Sequence, residues 1–183
     1  MNKNTIYTIV AVLVVVIVVA GAGIWLMYGG GGGISPTPTP TPVPTVVGTT
    51  TLQFNVNETT SGQLVIFQYT FKNLSWDGTN VNVTNAVVRL DIPGGSLGNY
   101  SYIFNAAELK SWLSTDNGVT WTPDDFATDW AGWSPLFSDY LTHLVNWNGS
   151  DLTYSYTATS GSAQVIYDIR PNPTLPASLF EAS

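Results

Sequence analysis

Twenty-three consecutive residues without a charge lie near the start of the chain, from Ile6 to Tyr28. As an α-helix they would span about 34 Å at about 1.5 Å per residue, and the hydrocarbon core of a bilayer is about 30 Å thick. Lipid leaves unpaired backbone groups unsatisfied, so even a segment rich in Val and Ile is expected to be helical there. Trp25 and Tyr28 lie at its far end, where aromatic rings favour the headgroup layer. The pattern predicts a transmembrane helix over residues 6–28, in contact with the lipid bilayer.

The residues that flank this segment indicate its orientation. Lys3 and the amino terminus favour the cytoplasmic side, so residues 1–5 are predicted to be a cytoplasmic stub and the carboxy-terminal part to be extracellular. A cleaved signal peptide is the alternative, because the small residues at 20–22 resemble a cleavage site. The apolar residues after them, and a length beyond the usual signal core of about 7 to 15 residues, favour a retained single-pass anchor in the cell membrane.

Residues 29–48 are predicted to form a hinge and a stalk. Gly29–Gly33 is a run of five glycines, which is flexible. Ser35–Thr45 has proline at every second position, which favours extended polyproline II at about 3.1 Å per residue. The intervening threonines suit O-glycosylation. The composition resembles the stalks of archaeal surface proteins, which implies an archaeal cell-surface protein.

Charge and residue usage after the stalk exclude several classes of function. This part has twelve acidic and four basic residues, a net charge of −8, which repels phosphate backbones, so no nucleic acid partner is expected. The chain has no cysteine, which excludes disulfides, thiolate metal sites and a cysteine nucleophile. Its one histidine, His143, excludes a multi-histidine metal site and lies in a stretch predicted to be a strand. We therefore expect no enzymatic activity.

Period-two alternation of apolar and polar residues predicts an all-β domain over residues 49–172, followed by a C-terminal tail over 173–183. The predicted strands lie at 52–57, 65–71, 88–92, 100–104, 141–147, 152–158 and 165–170. The last two strands are separated by the short turn at 160–162 and form a predicted hairpin. About seven short strands of this kind favour an immunoglobulin-like β-sandwich. A helical turn is also predicted at Ala106–Trp112, with Asn105 as its N-cap.

The order of four segments carries a family resemblance. VIFQYTFKN, TNAVVRLDIP, STDNGVTW and LTYSYTATSGSAQVIYDI follow one another between Thr51 and Arg170. In this order they resemble the immunoglobulin-like conserved-repeat domains of bacterial and archaeal surface proteins. The resemblance implies a spacer or adhesion module without catalytic residues. The stretch from Asp124 to Asp139 departs from the family pattern.

The sharpest local motif is an Asp-box, Ser-x-Asp-x-Gly-x-Thr-Trp, in the segment STDNGVTW. Its residues are Ser114, Asp116, Gly118, Thr120 and Trp121. The Asp116 carboxylate is predicted to accept backbone N–H bonds across a turn, Gly118 to supply a positive φ and Trp121 to pack behind the loop. The motif resembles the Asp-boxes of sialidases, in which several copies occur in a propeller, but one copy cannot build a propeller. Sialidase chemistry also needs a cluster of arginines to hold the substrate carboxylate, and the domain has only two arginines. The motif therefore predicts a structural hairpin.

Two clusters are candidates for binding. Asp124, Asp125 and Asp129 could offer oxygen ligands to Ca²⁺, although their spacing matches no EF-hand, and a solvated acidic loop is the alternative. Trp130 and Trp133 could stack on sugar rings or anchor a protein partner if they are exposed, and they would otherwise belong to the core. No other cofactor is expected.

Five sequons are candidates for N-glycosylation. They begin at Asn57, Asn73, Asn82, Asn99 and Asn148. Each falls at a predicted turn or strand edge, where a glycan would fit and would block pairing of exposed strand edges.

Together these features predict a membrane-anchored cell-surface module that contacts an envelope protein or glycan, such as a surface layer or a filament. A carbohydrate-binding adhesin that uses Trp130 and Trp133 is the second hypothesis. Coplanar, exposed tryptophans would favour it, whereas buried tryptophans under a glycosylated surface would favour the first. A filament subunit that assembles by strand donation is the third hypothesis.

Overall fold

The structure, a computed structural model, describes residues 43–60, 62–94 and 99–182. The predicted stub (1–5), the predicted membrane helix (6–28) and most of the predicted hinge and stalk lie outside the described residues. Within the described part of the chain, no helix has the length and apolar character needed to cross a membrane.

Ten strands and one long helix make up the described domain. In chain order they are β1 (Thr51–Thr60), β2 (Gln63–Lys72), β3 (Ser75–Asp77), β4 (Asn80–Asn82), β5 (Val87–Ile92), β6 (Tyr100–Asn105), β7 (Lys110–Ser114), β8 (Thr122–Asp124), α1 (Phe126–Leu144), β9 (Thr153–Thr157) and β10 (Ala163–Pro171). A 3₁₀ turn, Ala177–Phe180, follows β10.

The strands form one large sheet and one small one. Eight strands join in the order β8-β7-β6-β5-β2-β1-β10-β9, every neighbouring pair antiparallel, and β3 and β4 form a separate hairpin. The prediction of a mostly β domain is confirmed, as is the hairpin that joins the last two strands. The long helix beside the sheet was not predicted.

Two local predictions are wrong. The stretch 141–147 is not a strand: α1 continues to Leu144 and a turn follows. A strand and a helix both tolerate apolar residues at 141 and 145, so the short alternation could not separate them. The predicted helical turn after Asn105 is only a tight turn, and β7 begins at Lys110. The Asn105 side chain nevertheless accepts a hydrogen bond from the Glu108 amide at 3.2 Å, in the manner of a cap.

Helix α1 forms because its start is capped and its apolar residues recur at helical spacing. The Asp125 carboxylate accepts hydrogen bonds from the amides of Ala127 and Thr128, which satisfies N–H groups that have no partner within the helix. Large apolar residues then form one stripe: Phe126, Trp130, Trp133, Phe137, Tyr140, Leu141 and Leu144. Pro135 lies on the exposed side, away from this stripe.

The main core lies between this stripe and one face of the large sheet. Phe54, Tyr69 and Phe71, on adjacent strands β1 and β2, are buried against Phe137 and Tyr140 of α1, with ring centroids 5.6 to 6.4 Å apart across the interface. Burying a side chain of this size removes about 1.5 to 3 kcal/mol of unfavourable hydration. The helix is therefore part of the hydrophobic core.

Among the described residues, a small cluster covers one end of the opposite face of the sheet. Val87, Ile103 and Phe180 form a small second cluster there, so the predicted C-terminal tail packs against the sheet through its 3₁₀ turn. At the other terminus of the described chain, Val46 is fully buried in the main core, and Thr49 donates a hydrogen bond to its carbonyl at 2.7 Å. The folded unit therefore includes the last residues assigned to the stalk.

Candidate functional site

The sheet face turned away from α1 carries a continuous row of polar side chains. Residues directly opposite one another in neighbouring strands point to the same face. The pairing places Tyr167 opposite Asn55, Asn55 opposite Gln68, Gln68 opposite Asp91, and Asp91 opposite Ser101. The row therefore crosses β10, β1, β2, β5 and β6, and we call it the polar row.

One end of the polar row opens into a cleft of about 250 Å³. Its lining comprises Gln68, Arg89, Asp91, Ile92, Pro93, Tyr100, Ser101 and Asn117. Strands β2, β5 and β6, the residue that follows β5 and the turn between β7 and β8 supply these residues. The cleft is therefore built by long-range pairing of the sheet.

Arg89 is the best-anchored charged residue of the cleft. Its guanidinium donates to both carboxylate oxygens of Asp91, at 2.8 and 3.0 Å, and to the Leu179 carbonyl at 3.1 Å. It also lies over the Trp121 ring, 5.4 Å from the centroid. The side chains of Arg89 and Asp91 are 16% and 27% exposed, so this ion pair is held at the surface in a fixed orientation.

The Asp-box residues lie together in the turn from β7 to β8, beside this cleft. The Asp116 carboxylate accepts hydrogen bonds from the amide of Thr120 at 2.8 Å, the hydroxyl of Thr120 at 2.6 Å and the amide of Val119 at 3.1 Å. The Ser114 hydroxyl donates to the same carboxylate at 2.7 Å. These bonds, chiefly those from Thr120, lower the pKa of Asp116 to about 2.

Two further residues of the motif fix the turn. Gly118 has a φ of +80°, and a Cβ there would lie 2.8 Å from an Arg89 nitrogen, so no larger residue fits without displacement. The Trp121 indole donates to the Gly118 carbonyl at 3.1 Å. Asn117 lies between Asp116 and Gly118 in the chain. The Asp-box thus positions Asn117 so that it lines the cleft.

The tryptophans predicted to bind a ligand lie elsewhere. Trp130 and Trp133 are half-buried on α1 and face the sheet. The Trp130 ring centroid is 5.3 Å from that of Phe137, and the Trp133 ring centroid is 5.4 Å from that of Tyr102. They pack against the core and do not form a pair of exposed rings.

The three acidic residues considered for calcium have separate structural partners. Asp125 is the N-cap of α1, Asp129 accepts a hydrogen bond from Ser111 at 2.9 Å, and Asp124 accepts one from the Asp125 amide at 2.8 Å. Burial raises the pKa of Asp129. Within the described ranges, no group of three or more His, Cys, Asp or Glu is arranged to hold a metal ion. Calcium binding stays a prediction.

The five sequons have different environments. Four of the asparagines are exposed: Asn73, Asn82, Asn99 and Asn148. In two of these, the hydroxyl of the sequon donates to the asparagine carbonyl oxygen, from Thr84 at 2.7 Å and from Ser150 at 2.8 Å. The prediction of a turn or strand edge is wrong for Asn57, because it lies within β1 between two paired strands, and its side-chain oxygen is buried without a hydrogen-bond partner.

A tyrosine–carboxylate cluster between α1 and the sheet had no counterpart in the sequence prediction. Tyr140 donates to Glu58 at 3.1 Å and Tyr156 donates to Asp139 at 2.6 Å. Burial, more than the nearby carboxylates, raises the pKa of both tyrosines far above the usual range. His143, predicted to lie in a strand, is on α1 and stacks on Tyr156 with ring centroids 3.7 Å apart. These tyrosines are neutral donors that tie the helix to the strands.

No known protein family, curated protein or solved structure matches the chain. The functional argument therefore depends on the residues and geometry described above.

Proposed function

We propose that the chain is a single-pass membrane protein that holds a non-catalytic β domain outside the cell, where the domain contacts an envelope component. The observation that carries this proposal is the order of three segments. An uncharged stretch over 6–28 is followed by a Pro-Thr stretch over 35–45 and then by a folded β domain.

The chemistry of the domain supports contact more than catalysis. Its strongest acid–base candidates, Tyr140 and Tyr156, have raised pKa values and are hydrogen-bonded to carboxylates. Asp116, with a lowered pKa, is bonded within its own turn. Among the described residues, the sheet face turned away from α1 carries the polar row, in which Gln68 is exposed and Asn55 and Asp91 are half-buried, and such a surface is suited to binding.

The resemblance to immunoglobulin-like conserved-repeat domains belongs to the same proposal. An archaeal surface protein with O-glycosylated threonines in its stalk and N-glycans at exposed asparagines would fit it. The exposed asparagines of four sequons support such a glycosylated surface. Tryptophans that pack against the core also favour a structural or interaction module over an adhesin that uses Trp130 and Trp133.

Cysteine labelling tests the topology, because the chain has no cysteine of its own. Thr157→Cys places a thiol on an exposed strand position, and Asn4→Cys places one in the predicted stub. In intact cells we expect a membrane-impermeant maleimide to label position 157, and to label position 4 only after lysis. The protein should also sediment with membranes.

Labelling at position 4 but not at position 157 in intact cells would reverse the topology. Recovery of both variants in the soluble fraction would contradict the anchor. Cross-linking of the full chain in native membranes, followed by mass spectrometry, then identifies the envelope component.

A further inference from the structure

The cleft at the end of the polar row has the chemistry of a binding site. Carboxylate, guanidinium, amide and hydroxyl groups come together there from Asp91, Arg89, Gln68, Asn117 and Ser101. Exposed strand residues are usually polar, but they seldom surround a concavity whose charged members are held rigidly. At about 250 Å³ the cleft is smaller than the pockets of about 300 to 1,000 Å³ that hold drug-sized ligands, so it suits a single small ring.

The charge of the lining favours a neutral ligand. Arg89 and Asp91 neutralise each other within the cleft, whereas the chain as a whole is acidic. The net negative charge of the domain would repel an anion, and the cation that lines the cleft, Arg89, is already paired with Asp91. A divalent cation would need carboxylates that are not already neutralised by a guanidinium.

The Arg89–Asp91 pair leaves unused hydrogen-bonding capacity in a fixed geometry. An ionised carboxylate has about four acceptor positions, and Arg89 occupies one on each oxygen of Asp91. Each oxygen can therefore accept one more hydrogen bond. The two acceptor positions that remain point outward in different directions, so a sugar ring on one side of the pair can donate one hydroxyl to Asp91, and nearby amides can donate to or accept from its other hydroxyls.

We propose that this cleft binds one ring of a neutral saccharide through hydrogen bonds to its hydroxyls. Asp91 accepts a hydrogen bond from one hydroxyl, Gln68 and Asn117 contact the other ring substituents, and Pro93 supplies an apolar surface at the edge of the cleft. Arg89 is a positioning residue that orients the carboxylate. The proposal is independent of the membrane anchor, because it concerns only the surface of the folded domain.

Two cleft variants and one matched control test this site. Gln68→Ala removes an exposed amide of the cleft, and Asn117→Gly removes another while allowing the left-handed backbone at that position, where φ is 61°. Gln63→Ala removes the same side chain from an exposed position at the start of the same strand, outside the cleft. All three variants keep both partners of the Arg89–Asp91 ion pair.

The probes are the methyl glycosides of mannose, galactose and glucose, titrated into the ¹⁵N-labelled full chain in a detergent without a sugar headgroup. We expect at least one glycoside to shift the side-chain amide signals of Gln68 and Asn117. Each cleft variant should weaken that binding by about tenfold, since one hydrogen bond is lost, and Gln63→Ala should leave it unchanged.

The proposal is overturned if saturating concentrations of all three glycosides leave both amide signals unmoved. It is also overturned if Gln63→Ala weakens binding as much as the cleft variants do, or if glucuronate binds more tightly than the neutral glycosides. A failure here would leave the labelling test of membrane topology unaffected.

Discussion

The two faces of the large sheet are built from alternate residues of the same strands, yet they have different chemistry. In β2, Phe67, Tyr69 and Phe71 are buried, whereas Gln68 between them belongs to the polar row. The buried face packs on aromatic side chains of α1. The open face uses an ion pair and hydrogen-bonded turns to hold polar groups in place. Stability is thus concentrated on one face, which leaves the other available for binding.

The largest expected effect comes from the helix face. Phe137→Ala removes a fully buried ring that contacts Tyr69 and Phe71, so we expect a loss of about 3 to 5 kcal/mol in the free energy of unfolding. Leu136→Ala, the neighbouring residue at 37% exposure, should change it by less than about 1 kcal/mol. Urea denaturation followed by near-ultraviolet circular dichroism measures both. Equal losses would mean that the stripe does not form the core.

The turn beside the cleft should show the next effect. Gly118→Ala places a Cβ at a position with positive φ, 2.8 Å from an Arg89 nitrogen. We therefore expect a loss of about 1 to 3 kcal/mol in the free energy of unfolding. Gly132→Ala in α1 meets no atom within 4 Å and should instead stabilise the domain by about 0.5 to 1 kcal/mol. The same urea experiment should therefore give opposite signs for the two substitutions. Matching signs would contradict the described turn.

The N-cap of α1, on the helix side of the sheet, should show a smaller effect on stability. Asp125→Ala removes the acceptor for the first amides of the helix. It should lower the free energy of unfolding by about 1 kcal/mol. Asp125→Asn keeps a side-chain oxygen there and should restore more than half of the loss. Thermal unfolding of the three proteins gives the comparison, and an alanine variant as stable as the parent would show that the cap is not used.

The smallest expected effect is a dependence on pH in the Asp-box. The pKa of Asp116 is about 2 in the folded chain, below its ordinary value of 3.8, because the folded turn favours the carboxylate. The stabilisation is therefore complete above about pH 4 and is lost as the pH falls towards about 2. The melting temperature of the parent should fall more steeply than that of Asp116→Asn in this window.

The comparison of faces also shows how far the sequence could predict the molecule. Alternation of apolar and polar residues marks the first half of β1, the second half of β2 and residues 88–92 of β5, because one face of each strand packs in the main core. Helix α1 was missed although Phe126, Trp130 and Phe137 have helical spacing, since Gly132 and Pro135 interrupt a pattern otherwise typical of a helix.

The Asp-box and the cleft also differ in how far the sequence could predict them. The Asp-box was predictable because its residues lie within eight positions of the chain and bond to one another. The cleft was not, because Gln68, Asp91 and Ser101 meet only through the pairing of three strands. No local pattern encodes that register.

Photocross-linking in native membranes tests most directly whether the polar face makes the envelope contact. A photoreactive residue replaces Gln68 in one protein and the exposed Leu136 of α1 in another. We expect irradiation to join position 68 to an envelope protein or glycan and to give little product at position 136. Product at position 136 in place of position 68 would contradict the assignment of binding to the polar face.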